Sequence, residues 1–303
     1  MDNRSRQIFQ RQNAPDNLNV LKAARCCYAR GKFFGIFNVL LMVFIPICLN
    51  IFIRFNQNNV LEAVIVVITI IVSILGYLCE REIQLDKLNG ASLQQQFDST
   101  IFDIKLESDI YNKEKETSFA TREKLISKYQ IKKDDSIINW YSDYSEFSYE
   151  EAVFYCQKEN IDWDKELRKK YRNFLLMVAI LIAVFLVIDA ICIQVVFYEF
   201  VISCIPLLPL VSFFCNGIKN LNDDINRYDE IYNCVNNCDE KISNGQKESE
   251  DELLENIKSL QLLIFKHRKS AYMIPTWFYK AFKTKMQKEA DDLALYKNSN
   301  RQS

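Results

Sequence analysis

Four long apolar runs constrain the fold of this chain more than any other feature of its sequence. The runs extend over residues 33–55, 60–79, 174–197 and 200–218. A helix needs about 20 mostly apolar residues to cross the hydrocarbon core of a bilayer, and helices of soluble proteins rarely remain apolar on every face over such a length. The sequence therefore predicts four transmembrane helices. The alternative of a buried core helix carries the most weight for the fourth run, because that run contains two prolines.

The spacing of these runs predicts two hairpins. Only a few residues separate the first run from the second, and Tyr198-Glu199 separates the third from the fourth. The chain is therefore predicted to consist of an N-terminal segment, a first hairpin, a central segment, a second hairpin and a tail. These divisions cover residues 1–32, 33–79, 80–173, 174–218 and 219–303.

Lysine and arginine residues flank the runs unevenly. They stand before the first and third runs and after the second and fourth, whereas the only basic residue beside the two short connections is Arg54, at the end of the first run. The flanking basic residues are Arg25, Arg30, Lys32, Arg81, Lys87, Arg168, Lys169, Lys170, Arg172, Lys219 and Arg227. Because positive side chains accumulate on the cytoplasmic side of membrane proteins, both termini and the central segment are predicted to be cytoplasmic.

The charged segments between and beyond the runs show helical periodicity. Residues 80–97 and 221–238 are predicted to continue the second and fourth spans as helices, and apolar residues recur at helical spacing over residues 253–264. A last helix is predicted over about residues 277–295, with Pro275 at its entrance. The predicted fold class is therefore an all-α integral membrane protein, with four transmembrane helices in two hairpins and a helical cytoplasmic domain.

Residue types that carry out catalysis are scarce in this sequence. There are six glycines and no glycine-rich phosphate-binding loop. His267 is the only histidine, which excludes an HExxH zinc motif and weakens any nucleophile scheme that needs a histidine base. Cys234 and Cys238 would share a helix face, but a zinc site needs about four ligands. The chain is predicted to have no catalytic residue, cofactor or metal, and not to be an enzyme.

Charge and cysteine usage set two further limits. The net charge is −1, which gives no reason to expect binding to DNA or RNA. The ten cysteines are scattered and form no disulfide framework. Adjacent carboxylates such as Asp223-Asp224 are interpreted as a solvated helix face.

Three residues inside the apolar runs are candidates for a role in gating. Asp189 lies near the middle of the third run, and an ionisable residue within a membrane is a functional candidate by default. A structural alternative is a hydrogen bond from its carboxyl group to Asn50 or Gln194. Pro206 and Pro209 are predicted to kink the fourth span and to free backbone carbonyls there. Either packing or gating would explain such a kink.

Two basic clusters are candidates for binding an anion. Arginine suits phosphate oxygens, and aromatic rings stack on bases. The first cluster, residues 167–172, contains Arg168 and adjoins the third span, so a membrane anchor is the favoured interpretation. The second cluster is farther from the spans in sequence. It contains His267, Arg268 and Lys269, and is followed by Trp277 and Tyr279.

Short sequence motifs along almost the whole chain resemble, in the same order, those of the SMODS-associated four-transmembrane effector family. The matching words are Phe9–Asn13, Asn17-Leu18, Ala24-Arg25, Phe97-Asp98, Asn139–Asp143, Cys156-Gln157, Trp163-Asp164, Leu167–Tyr171, Pro206–Pro209, Leu260–Lys269 and Pro275–Tyr279. The resemblance includes Trp140, which joins the candidate ligand-binding residues.

The resemblance implies a role in bacterial antiphage defence of the CBASS type. Effectors of this family look like pore formers of the inner membrane, encoded with a cyclic-oligonucleotide synthase. The implied partners are a cyclic oligonucleotide, the lipid bilayer and further copies of the same chain. Two other readings stay open from the residues alone: a subunit of a channel or transporter, and a membrane scaffold without nucleotide control. A nucleotidyltransferase gene adjacent to the gene of this protein would favour the interpretation as an effector.

Overall fold

Helices account for nearly all of the residues that the structure describes. The computed structural model describes residues 3–55, 59–104, 117–129, 137–161, 164–193, 197–243 and 250–282, and these ranges contain no strand. The first six helices are α1 (Asn3–Gln12), α2 (Pro15–Val39), α3 (Ile45–Phe55), α4 (Asn59–Phe102), α5 (Phe119–Tyr129) and α6 (Tyr149–Ile161). They are followed by α7 (Asp164–Ile193), α8 (Phe197–Cys204), α9 (Leu208–Ser243), α10 (Glu250–Ser270) and α11 (276–282).

Within the described residues, four helical stretches are long and apolar enough to cross a membrane. The all-α fold with four spans, predicted from the apolar runs, is confirmed. Several of these helices are much longer than a bilayer is thick. Helix α4 has 44 residues, about 66 Å at 1.5 Å per residue, against a hydrocarbon core of about 30 Å. It therefore continues out of the membrane as one rigid element, as does α9 with 36 residues.

The first span is a helix with a π-helical turn in its middle. Helix α2 leads into this turn at Leu40–Phe44, and α3 continues the span. The N–H of Ile45 bonds to the carbonyl of Leu40, five residues earlier. Pro46 follows directly and has no N–H to offer. Because a π-turn shifts the bonding by one residue, it accommodates the interruption that the proline imposes.

The fourth span is divided by a 3₁₀ turn. Helix α8 ends at Cys204, the turn covers Ile205–Leu207, and α9 begins at Leu208. Pro206 and Pro209 are both buried at this break. The side-chain amide of Asn50, in α3, donates a hydrogen bond to the carbonyl oxygen of Ser203. A carbonyl without a partner in hydrocarbon costs several kcal/mol, so this bond stabilises the break and joins the first span to the fourth.

Outside the membrane, the helices pack into a bundle around one apolar core. Buried side chains from α1, α2, α4, α6, α9 and α10 meet there, and the largest are Phe97, Phe102, Phe154 and Phe265. A second apolar cluster lies between α7, α9 and the chain after α10, and includes Tyr171, Phe214 and Phe278. The bundle therefore contains pieces of the N-terminal segment, the central segment and the tail.

Some sequence predictions need adjustment. Helix α2 begins at Pro15, well before the predicted start of the first span at residue 33, because the preceding residues pack against α4 in the bundle. Helices α1 and α5 were not predicted. The last helix is described from residue 276 to 282, and the rest of its predicted range lies outside the described residues.

Candidate functional site at the membrane junction

A five-residue segment contacts all four helices that lead into the membrane. We call residues 270–274, at the end of α10 and just after it, the junction segment. On one side, the Nζ of Lys87 in α4 lies 3.3 Å from the carbonyl oxygen of Ser270. Gly31 in α2 leaves room for Met273, since a Cβ at position 31 would lie 2.9 Å from the Met273 Sδ.

On its other side, the junction segment contacts α7 and α9 through Tyr272. Arg168 donates from Nη1 to the Tyr272 carbonyl oxygen at 3.0 Å, and the Tyr272 N–H donates to Asp224 Oδ2 at 2.8 Å. A Cβ at Gly217 in α9 would lie 3.5 Å from the Tyr272 hydroxyl oxygen. Polar main-chain groups of the junction segment are therefore held by charged side chains from three different helices.

Two carboxylates, one of them fully buried and the other half-buried, organise the charges around Tyr272. Asp224 is fully buried and pairs with both Arg168 and Arg227. Arg168 also pairs through Nε with Asp164 Oδ2 at 2.6 Å. Burial alone would lower the pKa of Arg168, but Asp164 and Asp224 raise it above its ordinary value. These contacts fix the first turn of α7 to α9.

Asp164 is the point where His267 joins this network. Its Oδ2 accepts a hydrogen bond from the Tyr228 hydroxyl at 2.7 Å and lies 3.2 Å from His267 Nε2. Burial would raise the pKa of Asp164, but Arg168 and His267 hold it well below its usual range. Burial lowers the pKa of His267 more than Asp164 raises it. A neutral imidazole in this position would donate from Nε2 to Asp164 and leave Nδ1 as an acceptor.

A second buried network surrounds Asp98 near the end of α4. Arg268 Nη1 lies 2.5 Å from Asp98 Oδ2, and the Tyr141 hydroxyl donates to Oδ1 at 2.7 Å. Gln261 donates to the same carboxylate at 3.1 Å and also contacts Gln95 at 2.9 Å. Burial would lower the pKa of Arg268, but Asp98 raises it above its ordinary value. Adjacent residues 267 and 268 thus belong to two separate networks.

Four buried nitrogens in or near these networks have no hydrogen-bond partner within the described ranges. They are Nδ1 of His267, Nη2 of Arg268, Nε1 of Trp140 and Nε of Arg227. Arginine and tryptophan nitrogens are donors, whereas Nδ1 of a histidine protonated on Nε2 is an acceptor. Buried polar groups are normally hydrogen-bonded, so these atoms are candidates for contacts with a ligand or with water.

The structure distributes the candidate residues over three places. Arg168 and His267 meet at Asp164, and Arg268 lies at Asp98 with Tyr141, the neighbour of Trp140. Lys269 is half-buried, with its Nζ 5.5 Å from the centre of the Phe265 ring. Trp277 and Tyr279 are exposed on α11, where the Trp277 ring contacts Phe174 and Phe278.

Two interpretations of charged residues are wrong for one residue each. Arg168 does not face the membrane surface as an anchor but is buried between two carboxylates. Asp223 is exposed as expected, whereas Asp224 is fully buried and central to the network. Helical periodicity would have placed Asp224 on the face of Leu221 and Tyr228, which are also buried. Asp98 and Asp164 belong to the sequence motifs that resemble the effector family, but they were not predicted to be site residues.

The structure describes only some of the candidate gating residues and their predicted partners. Asp189 lies in α7, and its side chain is outside what the structure describes, as is Gln194 altogether. Pro206 and Pro209 lie at the 3₁₀ turn. Asn50, one predicted partner of Asp189, bonds to Ser203. Among the described residues, no group of three potential metal ligands is found.

The fold and the junction define a class of protein: a multi-pass membrane protein in which four spans are joined directly to a helical bundle. The model of the SMODS-associating 4TM effector domain matches residues 6–294, and the chain therefore belongs to that family. A protein of Bacillus cereus (strain VD146) named "Probable CBASS effector molecule" is 22% identical over 279 residues, which are 90% of this chain and 92% of that protein. No solved structure matches the chain.

Proposed function

We propose that this protein is a membrane effector of CBASS-type antiphage defence. It senses a cyclic oligonucleotide through its helical bundle on the cytoplasmic side, then disrupts or forms pores in the bacterial inner membrane and stops growth or kills the cell. The observation that carries the proposal is the continuity of α4, α7 and α9, which run from buried ion-pair networks into the membrane without a break. A rigid helix transmits a displacement at one end to the other.

The two networks supply a reason for a phosphate-containing ligand. Arg268 and Trp140 offer buried donors without partners, and His267 offers a buried acceptor. A phosphodiester would compete with Asp98 for Arg268 and with Asp164 for Arg168, because arginine binds phosphate and carboxylate with similar geometry. Ligand binding would then loosen the contacts that hold α4 and α7 in place. Lys269 adds positive charge beside this site.

The energy required points to several copies acting together. Moving a closed state from about 1% to 99% open needs roughly 5.5 kcal/mol of differential binding. Each charged hydrogen bond contributes about 1.5–3 kcal/mol, and part of that is lost when the internal ion pairs are broken. In a homo-oligomer that binds several ligands, the differences in binding free energy between the closed and open states add up over the subunits. We therefore propose that the active form is a homo-oligomer.

The test is dye uptake that reports membrane potential in cells expressing the protein, with a panel of cyclic dinucleotides and trinucleotides. One member of the panel is expected to cause depolarisation. A double variant, Asp98→Asn with Arg268→Gln, removes the cation without leaving an unpaired buried charge, and is expected to abolish the response at the same ligand concentration. Lys124→Gln, at an exposed position on α5, is the control and should respond normally.

Two results would count against the proposal. No depolarisation with any cyclic nucleotide would remove the sensing function. Unchanged ligand affinity of the double variant by calorimetry would remove Arg268 from the binding site and leave the effector function standing.

A further inference from the structure

An aromatic cluster fixes α11 against the first turns of the third span. The Trp277 and Phe174 ring centres are 5.7 Å apart, and Phe278 is buried with its ring 4.8 Å from that of Tyr171. Phe282, one turn later, lies under the ammonium of Lys170 at 5.0 Å. Successive turns of α11 thus meet earlier and earlier residues of α7, so the two helices run antiparallel here. Trp277 is at the end nearer the membrane.

The position of Trp277 relative to the bilayer follows from its neighbour. Phe174 is the first residue of the apolar run, and Met177 and Leu181, on the same face of α7, are more than half exposed. Exposed apolar side chains on a transmembrane helix face lipid. Trp277 is 57% exposed and lies at the start of this lipid-facing stripe. Tryptophan is enriched at that depth because its ring is apolar and its N–H is polar.

Two lysines lie beyond the end of the apolar run, at distances from Phe174 and Trp277 that match the thickness of a headgroup layer. Lys170 precedes Phe174 by four residues, about 6 Å along the helix, and Lys280 follows Trp277 by three, about 4.5 Å. The headgroup layer on each side of the hydrocarbon is roughly 5–8 Å thick. Lys280 is exposed. Residues 169–176, 210–222 and 271–282 include no acidic residue, and the carboxylate of Glu166 is paired with Lys169 at 2.8 Å.

We propose that Trp277, Lys170 and Lys280 form a binding surface for anionic phospholipids of the leaflet next to the bundle. The indole ring lies at the boundary of the acyl chains, and the two ammonium groups contact the headgroup phosphate. The surface is continuous with the lipid-facing side of the third span, so its occupant is a lipid rather than a soluble anion. This role is independent of ligand sensing and assigns Trp277 to the membrane instead of to a nucleotide base.

Fluorescence quenching of Trp277 in nanodiscs tests this assignment. Phosphatidylcholine nanodiscs are prepared with the same small fraction of either phosphatidylglycerol or phosphatidylcholine brominated near the top of the acyl chain. Subtracting the signal of Trp277→Phe isolates this residue from Trp140 and Trp163. Brominated phosphatidylglycerol is expected to quench Trp277 as if it were enriched roughly 25-fold beside the ring, since two lysines contribute about 1 kcal/mol each, whereas brominated phosphatidylcholine quenches only in proportion to its fraction.

The lysine variants separate recognition from simple proximity. A lysine near the membrane surface contributes about 1 kcal/mol toward anionic lipid, so Lys170→Gln and Lys280→Gln should each reduce the enrichment about fivefold. Lys170→Arg with Lys280→Arg should keep it, and Lys124→Gln should not change it. Equal quenching by both brominated lipids in the unaltered protein would show an interfacial ring without lipid selection and would overturn the proposal. Quenching by neither lipid would place Trp277 outside the bilayer and would overturn it as well.

Discussion

Lys87 shows how single residues at the junction combine burial with charge. It is almost fully buried, and the hydrogen-bond acceptor of its ammonium is the carbonyl of Ser270. Burial lowers the pKa of Lys87 to about 8, and the more distant carboxylates of Glu80 and Asp224 only partly oppose this. Asp86, next to it, is also buried but has a strong partner, since Arg30 lies 2.6 Å away. Adjacent buried charges on α4 are therefore compensated to very different degrees.

The lowered pKa of Lys87 predicts a specific pH dependence of stability. Between about pH 8 and pH 10 the folded protein has released this proton while the unfolded chain, with a pKa near 10.5, still binds it. The free energy of unfolding contributed by Lys87 therefore rises with pH across this window, by up to about 3 kcal/mol. Lys87→Met should be more stable than the unaltered protein at pH 7, and this advantage should shrink as the pH approaches 10.

The measurement is the apparent melting temperature in detergent at a series of pH values. Lys124→Met, which changes an exposed lysine, serves as the control and should follow the unaltered protein. Melting curves of Lys87→Met that stay parallel to those of the unaltered protein from pH 7 to 10 would contradict the buried-lysine account.

At the scale of elements, the close approach of α2 to the junction segment depends on a residue without a side chain. Gly31 and Gly35 are one turn apart on α2. A Cβ at position 31 would meet Met273 at 2.9 Å and the Cβ of Asp86 at 3.2 Å, whereas at position 35 it would meet nothing within 4 Å. Position 31 therefore has no room for a side chain, whereas position 35 does.

This difference provides a matched pair of variants. Gly31→Leu should force the junction segment away from α2, and overpacking of this kind typically costs about 1–3 kcal/mol. It should also uncouple ligand binding from depolarisation. Gly35→Leu should fold and signal normally, because its side chain points into open space and leucine favours a helix over glycine. Melting temperature and dye uptake are measured for both. Equal behaviour of the two variants would show that Met273 moves aside without consequence.

The elements were predictable from sequence to the extent that they depend on local patterns. Apolar length identified the spans, and helical periodicity extended α4 and α9 into the bundle. The π-turn before Pro46 was not predicted, and the prediction that Asp224 is solvated was wrong. A proline indicates that hydrogen bonding is interrupted but not how the chain compensates. A carboxylate in a charged helix is solvated or paired according to which arginine the tertiary fold brings to it, and here Arg168 comes from another helix.

At the scale of the whole molecule, the distribution of basic residues predicts the orientation in the membrane. Labelling from outside the cell with a membrane-impermeant maleimide should reach a cysteine at position 57, in the short connection between α3 and α4. It should not reach one at position 118 or 299, because the positively charged flanks hold those segments in the cytoplasm. The unaltered protein, with its ten cysteines, gives the background. Labelling at position 118 in intact cells would reverse the predicted topology.

The junction segment contacts elements that lead into every span, and this limits how the membrane part can respond. Four helices attached to the same short segment do not move independently, because a shift of one helix strains the contacts of the segment with the other three. The energy landscape of a subunit then has few partially rearranged states, and the spans change position as a set. If the proposed homo-oligomer forms a pore, its permeability should consequently switch between discrete levels rather than increase gradually, and single-channel recording in a planar bilayer would register these switches as steps of uniform size.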